Sequence, residues 1–238
     1  MKSLILNTLF LLITVSTFGQ TIENETRKIS SFDKINVNSV IKVELYQSNS
    51  NEIEIYTENI PTEKIKSEVS NGELTLDLAH KRKGWNDIEI TVKVPFQELT
   101  EITTSTASSI SSTETINFDQ LEISMGEASH CDLILEGNTL DLSLGSAANL
   151  RLEGTCKSLD ANVNSAAQLN AYQLKVLDAD IIANSMAKVK VNVKNDLHIN
   201  ANSMARVSYM GEPSNLEKTK SSMATIRQVS GDLKEISN

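Results

Sequence analysis

Aromatic side chains make up only 4% of the 238 residues, and the chain holds just three prolines, nine glycines and two cysteines. Two thiols, Cys131 and Cys156, are too few for a disulfide scaffold, so the fold must stand on its apolar core. A core without aromatic bulk is filled by Val, Ile, Leu and Ala, which favours a thin, regular architecture over one thick globule. Positive charge is also short: 22 Lys and Arg face 31 Asp and Glu, for a net charge of −9. Nucleic acid and anionic lipid both demand clustered Lys and Arg, so neither is expected as the main partner. Three separated histidines (His80, His130 and His198) do not make a metal cluster. No nucleophile elbow, phosphate loop or His-Glu metal motif occurs, and no cofactor is expected.

The amino terminus points to a compartment. Lys2 precedes a mostly apolar stretch from Leu4 to Phe18, and Thr17-Phe18-Gly19-Gln20 places small residues where a signal peptidase reads. This is the layout of a cleavable secretory signal covering residues 1–19. The stretch carries Asn7, Thr8, Thr14 and Ser16 and is too short and polar to span a bilayer. No Cys follows it, so a lipid anchor is not indicated, and no later segment is apolar enough to cross a membrane. Export to the periplasm, cell surface or medium is expected.

What is present in abundance is repetition. Seven segments share a Ser-x-Ala-like element with an apolar residue two places later: STASSI, GEASHC, SAANLRL, SAAQLNA, SMAKVKV, SMARVSY and SMATIRQ. Their alanines, Ala107, Ala128, Ala148, Ala167, Ala187, Ala205 and Ala224, recur every 18 to 21 residues. Between them run alternating stretches such as Leu121-Glu-Ile123-Ser-Met125 and Leu140-Asp-Leu142-Ser-Leu144. Period-two alternation means strand with one face buried. Short strands of this kind cannot close a core alone, but stacked copies give each a parallel neighbour about 4.8 Å away. The expected fold is all-β: a parallel β-solenoid of about seven coils of roughly 20 residues over 101–230.

Stacking predicts files of like residues. Leu150, Leu169, Val189, Val207 and Ile226 form one inward column, and Leu121, Leu140, Leu159, Leu177 and Leu197 a second. Ala148, Ala167, Ala187, Ala205 and Ala224 take a tight turn where only a small side chain fits. Asn164, Asn184 and Asn202 are placed to form an amide ladder, and Met186, Met204 and Met223 read as gap-filling core. Cys131 and Cys156 sit at different offsets in their coils; a disulfide remains open in an oxidising compartment.

Residues 20–100 read as a β-rich segment packed on the first coil, and 231–238 as a polar tail. Candidate strands are Val40 to Tyr46, Ile53 to Tyr56, Ile65 to Val69, Leu74 to Leu78 and Ile88 to Val94, ended by Pro95. Asn71-Gly72 signals a two-residue hairpin, a second hairpin is expected across Ala79 to Asp87, and Pro61 to Lys66 suggests a brief helical turn.

Phe32-Asp-Lys-Ile35-Asn-Val37 at the start and GSAANLRLEG (Gly145 to Gly154) in a coil resemble the bacterial head GIN domain family, described as auto-transporter adhesins. The resemblance covers about residues 30 to 228. It departs from that family's glycine-rich turns, since Ala replaces Gly in most coils and Met enters the last three. The resemblance implies a solenoid and, by analogy of name, adhesion; a fold does not carry a function by itself.

Two places are candidate contact sites. The outward residues Glu122, Asp141, Asp160 and Asp178, with His198, form one stacked row, and Ser124, Ser143, Asn162, Asp180 and Asn200 lie beside it. The face is open to two readings, a polar surface for a glycan or Ca²⁺, or simply a solvated sheet. Carboxylates about 5 Å apart repel by only about 1 kcal/mol in water, so no cation is required. The loop with Lys81, Arg82, Lys83 and Trp85 is the one basic cluster and holds the single tryptophan. It reads as a stacking and cation–π contact tip, or as a charged hairpin tip with the ring folded back. The expected function is a non-catalytic, adhesin-like binding module for a glycan or cell-surface component. The alternatives are a carbohydrate-active β-helix enzyme of the lyase type, which needs a base beside its carboxylates, and a purely structural envelope protein.

Overall fold

The computed structural model describes residues 21–79 and 87–230. The expected signal segment, the basic loop and the polar tail therefore lie outside the described residues. Sixteen strands join into one hydrogen-bonded system, a parallel β-solenoid with antiparallel strands added at its amino-terminal end. In chain order they are β1 (Ile22–Lys28), β2 (Lys34–Val37), β3 (Lys42–Gln47), β4 (Glu52–Glu58), β5 (Ile65–Ser70), β6 (Glu73–Leu78), β7 (Glu89–Phe96) and β8 (Glu101–Thr104). The long ones follow: β9 (Ser109–Met125), β10 (His130–Leu144), β11 (Asn149–Val163), β12 (Gln168–Ala183) and β13 (Lys188–Ala201), then β14 (Arg206–Met210), β15 (Asn215–Lys220) and β16 (Thr225–Gln228).

Each coil has three short sides, visible in how alternation breaks. In β11, Leu150 and Leu152 point inward, then Glu153 to Thr155 all face out; Cys156 is inward, Lys157 and Ser158 face out, and Leu159, Ala161 and Val163 resume the inward set. Consecutive outward residues mark corners. The sides are called A (149–152), B (154–157) and C (159–163) by their β11 residues.

The third corner is a type I′ turn repeated seven times. Its two central residues are left-handed, as in Ser165 and Ala166 (φ 52° and 62°) or Ser185 and Met186 (φ 52° and 64°). The residue after them donates back across the turn, as in Ala167 N–H to Asn164 O at 3.0 Å. The second central residue donates to the next coil, as in Ala166 N–H to Ser185 O at 2.9 Å, so the turns themselves are stacked. Left-handed non-glycine residues cost on the order of 1 kcal/mol or more each, tolerated because coils on both sides hold them.

This geometry corrects two readings of the repeat. The buried corner position holds Ser108, Ser129, Ala148, Ala167, Ala187, Ala205 and Ala224; Ala107 and Ala128 lie one residue earlier, exposed at the turn tip. The two serines fit inside because their hydroxyls are bonded: Ser108 Oγ donates to Val37 O at 3.0 Å, and Ser129 Oγ accepts from Thr104 Oγ1 at 2.8 Å. Met186, Met204 and Met223 occupy the same tip position and are 55%, 48% and 82% exposed, so they do not fill the core. A left-handed residue at the tip points its side chain away from the stack.

The first aliphatic column stands, with Ile110 and Cys131 extending it: each residue pairs in register from Ile110 through Leu150 and Leu169 to Ile226. The second is Leu121, Leu140, Leu159, Ala179, Leu197 and Leu216. Leu177 is not in it and is 38% exposed. β12 holds one extra residue between Asn170 and Gln173, since Arg151 pairs with Asn170 but Glu153 with Gln173, and downstream of it the partner of Leu159 is Ala179, two places past Leu177. Cys131 and Cys156 are both free and buried, in different columns. Burial pushes each thiol up to about 12.

The amino-terminal β segment joins the stack out of chain order. β2 lies between β6 and β8, and β3 between β7 and β9, all parallel, so the 34–47 coil sits inside the 73–96 coil. Antiparallel strands cover the outermost coil: β5 on β6, and β4 then β1 on β7. Arg27 ties these covers together, reaching Glu25 and the Thr62 carbonyl, both within 2.8 Å. The Asn71-Gly72 hairpin forms with φ of 52° and 79°, and Thr62–Lys64 is the expected helical turn. The second expected hairpin falls on residues 80–86, outside the described residues; the strands on either side of it, β6 and β7, pair with other strands. Pro95 lies within β7 because β4 pairs only as far as Lys93, which leaves no partner asking for the missing N–H. β1 carries no apolar alternation, IENETRK, since neither face is buried.

At the opposite end, Lys218 and Lys220 pair with inward Ile199 and Ala201. Charges at inward positions blunt the edge that β15 presents.

Candidate functional site

Side C is the flat polar face, and its register is set by the backbone ladders. Glu101, Glu122, Asp141, Asp160, Asp180, His198 and Glu217 form one continuous file, one residue per coil. Thr103, Ser124, Ser143, Asn162, Ile182, Asn200 and Thr219 form the file beside it. The turn residues Ser105, Gly126, Gly145, Asn164, Asn184, Asn202 and Ser221 make a third.

Most of the expected face is therefore brought together: Glu122, Asp141 and Asp160 in the first file, Asn162 and Asn200 in the second. The β12 insertion exchanges two aspartates. Asp180 joins the acidic file, whereas Asp178 pairs with Ser158 and Asp196 at the corner between sides B and C. Glu101 and Glu217, absent from the expected row, extend it. They belong to short strands at either end, where the repeat motif is weakest. Lys34 precedes Glu101 in the same file and bonds it at 3.2 Å.

The electrostatics follow from the file. Partial burial, then the neighbouring Asp180 and Asp141 carboxylates, raise the Asp160 carboxyl above the usual aspartate range. Among the described residues, no three of His, Cys, Asp and Glu converge as a metal-holding group. The amide ladder forms in part: Asn202 Nδ2 donates to Asn184 Oδ1 at 3.2 Å and Asn202 Oδ1 accepts from the Ser221 hydroxyl, while Asn164 Nδ2 donates to Asn162 Oδ1 in its own coil.

Side A carries the opposite charge in its later coils. Lys188 and Arg206 follow one another in one outward file, and Arg151, Asn170, Lys190, Ser208 and Arg227 occupy the next. Lys190 lies over the Tyr172 ring at 5.5 Å and Arg227 bonds Ser208 at 3.0 Å. This segregation was readable from basic residues one or three positions past the turn alanines of several coils, as in Ala187-Lys-Val-Lys190. Net charge conceals it. Lys81, Arg82, Lys83 and Trp85 lie outside the described residues, so the basic loop has no place in this geometry.

Among the described residues no helix is long and apolar enough to cross a membrane. No match is found among curated proteins. Solved structures share the fold. A "putative adhesin" from Bacteroides fragilis superposes with a TM-score of 0.77 at 19% identity, covering 88% of this chain and 97% of its own. A "putative adhesin" from Parabacteroides merdae gives 0.70 at 17%, covering 87% and 96%. A "putative lipid binding protein" from Parabacteroides distasonis gives 0.71 at 19%, with the same coverage of 87% and 96%. The family model described as "Putative auto-transporter adhesin, head GIN domain" matches residues 31–213, and the chain belongs to that family.

Proposed function

We propose that the protein is an exported, non-catalytic binding module that presents side C to a saccharide or another hydroxyl-rich surface component. The observation that carries this reading is the triple file of carboxylates, hydroxyls and amides, in register across coils. Its repeat of about 4.8 Å is close to the length of one sugar unit, so successive coils can each meet a successive unit with the same hydrogen-bonding set. Adhesion agrees with the family description. Export rests on Lys2, the Leu4 to Phe18 stretch and Gly19. Amino-terminal sequencing of the protein recovered from an expressing bacterium, starting at Gln20, supports cleavage; an intact Met1 counts against it.

The test of the face is a glycan array probed with the mature chain. Binding lost in Asp160→Ala/Asp180→Ala and in Asn162→Ala/Asn200→Ala, and kept in Lys188→Ala/Arg206→Ala, supports side C. Binding that survives both side C pairs refutes it. One observation favours a second reading: Lys34 stands beside Glu101 in the acidic file, the pairing of base and carboxylate that a lyase requires. Degradation of an acidic polysaccharide by the purified chain, abolished in Lys34→Ala, would replace the binding reading with that enzyme.

A further inference from the structure

The exposed methionines at the turn tips have no explanation in the fold. Burial does not select them, since Met186, Met204 and Met223 are all exposed. Backbone conformation does not either: their φ values of 64°, 62° and 62° belong to the left-handed region, which favours Gly, Asn and Asp. The four preceding turns hold alanine at the same place, Ala107, Ala128, Ala147 and Ala166. A general apolar contact would be served as well by Leu, and a membrane contact better by Trp or Phe. What methionine alone adds is a neutral, polarisable thioether on a chain with three rotatable bonds.

The backbone sets these three groups side by side. Met186 N–H donates to Ser203 O and Met204 N–H to Ser222 O, both at 2.9 Å, so consecutive methionines are spaced by one coil, about 4.8 Å. Side chains of this length and freedom can bring three sulfurs from that spacing onto a common point with Met204 in the middle. The immediate neighbours are not hard anionic donors: Ser185, Ser203 and Ser222 precede the methionines, and Ala187, Ala205 and Ala224 follow. The next outward residues of the first two coils, Lys188 and Arg206, are cationic and disfavour Ca²⁺ or Mg²⁺ more strongly than a monovalent ion. The chain's softer sulfur donors, Cys131 and Cys156, are buried in the core and belong to other coils.

We propose that Met186, Met204 and Met223 form a thioether site for a soft monovalent cation, Cu(I) or its analogue Ag(I), at the turn edge of the last three coils. The site is separate from side C and does not depend on the binding function proposed for that face. It involves ligation only: the ion keeps its oxidation state and no bond of the protein is broken.

The experiment is an anaerobic titration of the mature chain with Cu(I) against a colorimetric Cu(I) chelator, paired with Ag(I) titration followed by the methionine ε-methyl NMR signals. The expected result is one ion per chain, with shifts at Met186, Met204 and Met223 and none at the buried Met125 and Met210. Affinity falls at least tenfold in Met186→Leu/Met204→Leu/Met223→Leu, which keeps the edge apolar, and as much in the triple Ala variant, which copies the turn at Ala166. Among single variants Met204→Leu loses most. Unchanged circular dichroism and melting show that the fold is intact. Undiminished metal binding in the triple Leu variant, or shifts confined to Met125 and Met210, overturns the proposal. So does an absence of Cu(I) uptake accompanied by attachment to anionic vesicles that the triple Ala variant loses, which would make the edge a membrane contact.

Discussion

Replacing Gly154 with alanine tests the coil stacking at its tightest point. Gly154 has φ of +112°, and a Cβ there would lie 2.0 Å from the Leu135 carbonyl oxygen and 3.0 Å from its carbon. Leu135 and Gly154 are register partners in β10 and β11, so relief requires two hydrogen-bonded coils to separate by more than 1 Å, about the shortfall from ordinary contact. The unfavourable φ costs about 1–3 kcal/mol. Losing one or two ladder hydrogen bonds adds about 1 kcal/mol each. Gly154→Ala is therefore expected to destabilise by about 2–5 kcal/mol, a large share of the 5–15 kcal/mol typical of a domain. Gly145 provides the control. A Cβ there meets nothing within 4 Å, and the equivalent turn position in later coils is Asn164, Asn184, Asn202 and Ser221. Gly145→Ala should be neutral or stabilise by about 0.4–1 kcal/mol, by restricting the unfolded chain. Urea titration of the two variants beside the parent, with unchanged slopes, measures the difference. A Gly154→Ala variant within about 1 kcal/mol of the parent would show that the two coils do not approach as described, and the reasoning from stacked register would fail with it.

Three further outcomes follow from the core and the acidic file. Leu169→Ala, whose side chain is 1% exposed between Leu150 and Val189, should cost about 2–5 kcal/mol in the same titration, because coils pinned on both sides cannot collapse into the cavity. The thiols of Cys131 and Cys156 ionise near 9.0 when unfolded but are held protonated up to about 12 in the fold. The unfolded state thus binds fewer protons between those values, and stability should fall with rising pH across that window, by about 1.4 kcal/mol per pH unit for each thiol; the fall should be shallower in Cys131→Ala than in the parent, and equal slopes would refute it. Asp160→Asn relieves repulsion from Asp141 and Asp180 and should stabilise by no more than about 1 kcal/mol, an effect that shrinks in high salt.

The solenoid, the Leu150 to Ile226 column and the Asn71-Gly72 hairpin were legible in the sequence because each rests on a local pattern repeated many times. Errors arose where a local pattern is blind to position. Leu177-Asp178 matches the Leu-Asp motif, yet a shift of two residues leaves period-two alternation intact, so only the ladder reveals that Ala179 and Asp180 take those places. Ala107 and Ala128 matched by identity, while the corner is defined by left-handed backbone and holds Ser108 and Ser129. The methionines followed composition, which expects them inside; a turn tip places them outside. On side C the acidic file was visible from β9 to β11. Its ends, Glu101 and Glu217, come from β8 and β15, too short to display the motif.

The departure of the amino-terminal coils from chain order bears on how the molecule comes apart. A solenoid wound in sequence can fray from its tip, one turn after another. Here residues 34–47 are clasped between a later turn on the outside and another on the inside, with β2 meeting β8 some 67 positions along the chain. No coil at that end can peel away singly, because removing the outermost turn means withdrawing the middle of the segment. Closing such a clasp demands long-range encounters that the serial coils do not need, which makes it the slow step of assembly and, once shut, a latch against unwinding.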